Sequence, residues 1–118
     1  LVLHPETFGF IFETLCIRDL RVYADALDGE VYHYRDKNNL ECDAVLHRRN
    51  GSFGLIEIKL GGDAAVEHGA STLRMLAAKI DVEKMGKPSF LMVLTAVGDF
   101  AYQREDGVLV VPICCLRD

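Results

Sequence analysis

A chain of 118 residues, half of them apolar and 26% charged, is one domain with one core and too short for two. Its formal net charge of −5 argues against strong non-specific binding to nucleic acid, and no apolar stretch approaches the roughly 20 residues that a membrane span needs. The four cysteines (Cys16, Cys42, Cys114, Cys115) contain no CxxC pair, so they read as reduced, mostly buried thiols of a cytoplasmic protein rather than a zinc cage or a disulfide framework.

The opening "LVLHPETFG" lacks the order of a signal peptide and leads straight into a helical pattern, which reads as a domain cut from a longer chain. Apolar residues at helical spacing (Phe8, Phe12, Leu15, Leu20, Tyr23, Leu27) predict a helix over 5–27, with Pro5 in its first turn and "LDGE" as its stop. Three strands follow: "EVYHYR" at 30–35, "LECDAVLHR" at 40–48 and "FGLIEIKL" at 53–60, with a turn at "DKNN" between the first two. A second helix is expected over 64–85, with Val66, Ala70, Leu73, Leu76, Ala77 and Ile80 as its apolar stripe. Its small residues Ala65, Gly69, Ala70 and Ala77 suit close packing on a sheet or, alternatively, a contact between subunits of a homo-oligomer. "SFLMVLTA" at 89–96 is apolar on both faces, as a central strand is. A hairpin around Asp106-Gly107 closes the chain, with Pro112 placing its second arm at an edge. The result is an α/β fold of order αβββαβ, a mixed sheet flanked by helices with a C-terminal β-hairpin, and a right-handed crossover from the third strand to a parallel fourth.

The third strand raises a question, because Glu57 and Lys59 interrupt an otherwise apolar run and share one face. Its register against the second strand depends on the turn "RRNGSF". A two-residue Asn50-Gly51 loop puts Asp43 and Glu57 on opposite faces. A three-residue loop, Arg49-Asn50-Gly51 with Gly51 in a left-handed bulge position, sets Asp43 opposite Glu57. The apolar residues favour the second register, which places Ala44, Leu46, Ile56 and Ile58 on one face and Asp43, Glu57 and Lys59 on the other. Two carboxylates so opposed repel unless a cation sits between them, and Mg²⁺ or Mn²⁺ takes such oxygen ligands. The bland alternative is a wet sheet face carrying a weak cross-strand ion pair.

Glu13 adds an acid among small and apolar helical neighbours (Gly9, Phe10, Cys16, Ile17), where burial is costly without a partner. It either belongs with the other acids or pairs with a core arginine. Arg35, Lys37, Arg48 and Arg49 lie near neighbouring strand ends, as contacts for a phosphate backbone or as gatekeepers of sheet edges and turns. His4, His33, His47 and His68 show no HxxH or HExxH spacing and receive no ligand role, although His47 shares the expected face of Asp43. Gly61-Gly62 suits a tight turn into the second helix.

Glu13 on a leading helix, Asp43 on one strand and Glu57-Ile58-Lys59 on the next resemble the PD-(D/E)xK, restriction-endonuclease-like nuclease superfamily. More narrowly, "YRDKNNLECDAVLHRRNG", "GLIEIKLGG", "KIDVEKMGKPSFLMVLT" and "AYQREDGVLVVPI" resemble a prokaryotic domain of unknown function that follows an AAA+-type ATPase module. The resemblance implies that Asp43, Glu57 and the backbone carbonyl of Ile58 hold the metal. It further implies that Lys59 is the catalytic lysine and that Glu13 acts on the metal through water. Cys42 stands where the superfamily name has proline. "GGDAA" lacks the lysine and hydroxyl of a Walker motif, so this chain carries no ATP site. Two functions are expected from different classes: a metal-dependent nuclease acting on DNA or RNA, or an inactive module docking its ATPase onto nucleic acid or protein.

Overall fold

The structure is a computed structural model that describes residues 5–35, 40–80 and 85–116. Helix α1 (Pro5–Ala26) leads into strands β1 (Gly29–Arg35), β2 (Glu41–Arg48) and β3 (Phe53–Lys59). Helix α2 (Asp63–Lys79), strand β4 (Phe90–Thr95), strands β5 (Tyr102–Gln103) and β6 (Leu109–Pro112) and a 3-10 turn (Ile113–Leu116) complete the chain. Six strands form one mixed sheet in the order β1-β2-β3-β4-β6-β5, antiparallel through β1, β2 and β3 and parallel from β3 to β4 to β6. This is the expected α/β architecture. The proposed turn at 36–39 lies outside the described residues.

Each face of the sheet carries its own apolar cluster. Phe12, Cys16, Leu20 and Ala24 of α1 cover Ala44, Leu46, Ile56, Leu94 and Val111. Val66, Ala70, Leu73 and Leu76 of α2 cover Phe53, Leu55, Val93 and Val110 on the other face. The stripe of α1 therefore differs from the expected one, since Phe8 and Leu15 are exposed and Cys16 and Ala24 are buried in their place. The N-terminal half of this helix is apolar around most of its circumference, so periodicity alone admits two inward faces. Burial pushes the Cys16 and Cys42 thiols up to about 12, which makes them inert, whereas Cys114 and Cys115 are exposed. No helix among the described residues is long and apolar enough to cross a membrane.

The turn between β2 and β3 is the three-residue loop. The Arg48 amide donates to the Ser52 carbonyl at 2.8 Å, the Gly51 amide donates to the Arg48 carbonyl at 2.9 Å, and Gly51 has φ +92°. It sets the register Ala44↔Ile56, Val45↔Leu55, Leu46↔Gly54 and His47↔Phe53. The β5–β6 turn repeats the design, with the Arg104 amide donating to the Val108 carbonyl and the Gly107 amide to that of Arg104.

Two expectations need correction. Strand β6 is internal, between β4 and β5, and the two-residue β5 is the edge. Pro112 is tolerated because it ends β6 opposite Thr95, past Val110 where pairing with β5 stops, so its missing N–H removes no bond on that side. Helix α2 ends at Lys79, and Ile80 turns extended (φ −70°, ψ 136°) to pack into the cluster beneath the helix. Residues 81–84 of the expected helix lie outside the described residues.

Candidate functional site

The antiparallel β2–β3 pair brings the start of β2 beside the end of β3, and the loop leaving parallel β4 meets the same edge. The Ala96 amide donates to the Leu60 carbonyl at 3.1 Å. Gly61 and Gly62, at φ +138° and +92°, reverse the chain here, and a side chain at Gly61 would run into Val97.

Strand β2 is irregular at this edge. Tyr32 lies opposite Val45 and Tyr34 opposite Cys42, so Asp43 and Ala44 together oppose His33 in a bulge. Cys42 consequently joins Val45 and Leu55 in the cluster beneath α2, although strict alternation would place it with Ala44 and Leu46. The paired ladder with β3 stops at Ala44↔Ile56, and one residue further the Asp43 side chain takes over. Its Oδ2 accepts the Ile58 amide at 2.8 Å. In an antiparallel pair a residue's N–H and C=O face the same neighbour, so the Ile58 carbonyl also opens toward β2 and Asp43.

Glu57 lies in the next position and is 6% exposed. Its carboxyl hydrogen-bonds the Asp43 carboxyl and receives the Asp43 backbone amide. Burial, then the hydrogen bond and the negative charge of Asp43, push Glu57 up to about 9, with Lys59 opposing. The pair thus keeps a proton at neutral pH in place of a second charge. A cation could take the place of that proton, and two carboxylates with a nearby carbonyl form a hard-oxygen donor set suited to Mg²⁺ or Mn²⁺. Among the described residues, no three His, Cys, Asp or Glu side chains already converge on one ion position.

Glu13 approaches this pair from α1. Its carboxyl is held above the ordinary range by partial desolvation, then by Asp43 and Glu41, with His33 opposing. The side chain is nevertheless exposed and, among the described residues, makes no ion pair with an arginine, which corrects the expectation of a buried acid. Its apolar neighbour Phe10 is itself 71% exposed, so local composition did not signal cover. Lys59 is half-buried, and its ammonium donates to His68 Nδ1 at 3.2 Å. His68 is the site neighbour that sequence spacing missed, since it reaches Lys59 only because the Gly61-Gly62 turn folds α2 back over β3.

The candidate phosphate-binding residues do not gather at this site. Arg35 ends β1 opposite Glu41, near the acids, while Arg48 pairs with Gly29 at the far end of the same two strands. Arg48 Nε donates to the Leu27 carbonyl at 3.4 Å, and Arg49 lies 3.5 Å from Asp28. Lys37 lies outside the described residues. The expectation of neighbouring strand ends is therefore corrected for Arg35 against Arg48 and Arg49, because the antiparallel β1–β2 pair sends Arg35 and Arg48 to opposite ends. His47 sits on the Arg48 side of β2, away from Asp43, and His33 bonds Glu41 at 2.7 Å.

A model of the family described as "Domain of unknown function (DUF4143)" matches residues 8–116, and the chain belongs to that family. No curated protein and no solved structure matches the chain.

Proposed function

We propose that this DUF4143 domain is a divalent-cation-dependent phosphodiester hydrolase of the PD-(D/E)xK nuclease type, acting on DNA or RNA. The observation that carries the reading is the desolvated Asp43–Glu57 carboxyl pair with Lys59 on the same strand as Glu57. Asp43, Glu57 and the Ile58 carbonyl would hold Mg²⁺ or Mn²⁺, which when bound polarises the phosphate and lowers the pKa of a water. Lys59 supplies a fixed positive charge where the phosphate gains negative charge, in surroundings drier than bulk water. Asp43, tied to the Ile58 amide, keeps the pair's geometry rigid. Glu13, more exposed, orients water at the rim.

A second reading is a non-catalytic module that docks an adjoining ATPase module onto nucleic acid or protein. The exposed Phe10, Val97 and Phe100 and the net charge of −5 favour it.

Titration of Mg²⁺ and Mn²⁺ into wild type and Asp43→Asn separates the two. Asparagine keeps an oxygen for the Ile58 amide and loses the charge, so the fold survives. The nuclease reading expects binding by wild type that the variant loses, together with cleavage of single-stranded, duplex or branched DNA, or of RNA, abolished by Lys59→Ala. Absence of binding at millimolar cation would sink it in favour of the docking module.

A further inference from the structure

We propose that His68 is a positioning residue for Lys59, an inference that rests on the catalytic reading of that lysine. The Lys59 ammonium lies 3.2 Å from His68 Nδ1. Among the described residues no carboxylate comes within ion-pair distance of it, even though the Asp43–Glu57 pair is close enough for Lys59 to oppose the rise in Glu57. An ammonium has donors and no acceptor, so Nδ1 must offer its lone pair, and the neutral ring carries its proton on Nε2. The stem of the lysine is held as well. Gly69, the residue after His68, packs so closely that a Cβ there would meet Lys59 Cγ at 3.4 Å and Val93 Cγ2 at 3.1 Å. The aliphatic chain therefore runs in the seam between β3 and α2, and its head emerges at the imidazole.

This arrangement matters because a flexible lysine two residues from a buried carboxyl pair would collapse onto it as a salt bridge. Its charge would then be spent on the acids and lost to a substrate. A neutral acceptor fixes the ammonium without cancelling it, which is the preorganisation that electrostatic catalysis needs. The geometry of the acceptor also selects among substitutes. Asparagine places its carbonyl oxygen close to the position of Nδ1, whereas glutamine reaches to that of Nε2.

Long-range proton–nitrogen correlation on the ¹⁵N-labelled chain reads the contact directly, without any activity. The expected result is an Nε2–H tautomer with a hydrogen-bonded Nδ1, and loss of that signature in Lys59→Met. A ring protonated on Nδ1 in the wild type, or a spectrum unchanged in Lys59→Met, would overturn the proposal. In a cleavage assay, His68→Ala is expected to lower kcat about tenfold, a barrier change of about 1.4 kcal/mol, while KM and cation affinity stay put. His68→Asn should recover most of the loss and His68→Gln should not; equal rescue by both would refute the Nδ1 contact. A correct tautomer signature in a protein that cleaves nothing would uphold the lysine clamp and reject the nuclease.

Discussion

Helix α2 faces charged groups on two sides, and the two sides are built on opposite principles. Toward the β5–β6 turn, Glu67 and Arg74 meet Arg104 and Asp106 in a closed ring where each acid faces both arginines. Arg74 lies 3.6 Å from Glu67 and 3.3 Å from Asp106, and Arg104 contacts Glu67 and lies 3.3 Å from Asp106. Toward the β2–β3 edge, the Asp43–Glu57 pair is opposed by Lys59, which hydrogen-bonds an imidazole instead of an acid. In the ring, desolvation of Asp106 is outweighed by the Val108 amide, Arg104 and Arg74, and its carboxyl sits below the ordinary range. In the acid pair, burial and like charge act together and Glu57 rises to about 9. A balanced ring ties a turn to a helix and asks for nothing more. A buried acid beside a second carboxylate leaves the folded state short of positive charge, and that shortage is what the proposed cation would supply.

The sharpest way to test this contrast is to supply the charge. If the acid pair takes a divalent cation, Mg²⁺ at a hundred times its Kd should stabilise the wild type by about 2.7 kcal/mol. Thermal melts of Asp43→Asn and Glu57→Gln should show no such gain, and melts of Arg104→Gln should show it in full, since the ring takes no part.

A somewhat smaller effect follows from pH in the absence of divalent ions. The folded Glu57 carboxyl holds its proton up to about 9, while an unfolded glutamate releases it near 4.5. The unfolded state therefore binds fewer protons throughout that window, and wild-type stability should fall as pH rises from 4.5 to about 9. Glu57→Gln should flatten that slope and be more stable than wild type at pH 8, by about 1–2 kcal/mol if only one pK unit or so of the shift is realised. Asp106 has the opposite sign. Its stabilisation is in place above the unfolded carboxylate pKa and is lost as pH falls through its depressed folded value. Denaturant melts across pH with Glu57→Gln and Asp106→Asn should thus bend at opposite ends of the range.

Much of this contrast was legible in the sequence, and the rest was hidden for identifiable reasons. Ala44, Leu46 and Ile56 alternate so cleanly that only one register buries them together, and that register carries Asp43 to Glu57. The bulge at Asp43-Ala44 was not legible, because it depends on how β2 pairs with β1, and Tyr32 and Tyr34 give no sign of a slip. Glu13 misled because helical neighbours report composition and not cover. Arg35 and Arg48 misled because closeness in a list of strand ends is not closeness across a hairpin. His68 has no motif at all; it depends on the Gly61-Gly62 turn and on Gly69 letting α2 approach the sheet.

The ring itself should prove modest. Its arginines are partly exposed, so Arg104→Gln is expected to cost about 0.5–1 kcal/mol, less in high salt, and a double-mutant cycle with Glu67→Gln should recover most of that as pairwise coupling.

The smallest effect belongs to the far edge of the hairpin, and its smallness is informative. Arg49 is 84% exposed at its side chain and lies 3.5 Å from an Asp28 that is 70% exposed. The firmer link there is the Arg49 amide donating to the Asp28 carbonyl at 3.0 Å, which a side-chain substitution leaves alone. Arg48→Ala and Arg49→Ala should each change stability by no more than about 0.5 kcal/mol. The same pair tests where a nucleic acid would lie. A phosphate contact from either arginine would reduce the salt dependence of binding by about one unit of slope per residue removed. A backbone running along the acid edge passes Arg35 and Lys59 and never reaches Arg48 or Arg49, some six residues away at about 3.3 Å each. Unchanged salt slopes in Arg48→Ala and Arg49→Ala, with a reduced slope in Arg35→Ala, would place the substrate at the carboxyl pair; the reverse pattern would move it to the turn and leave the buried acids without a substrate.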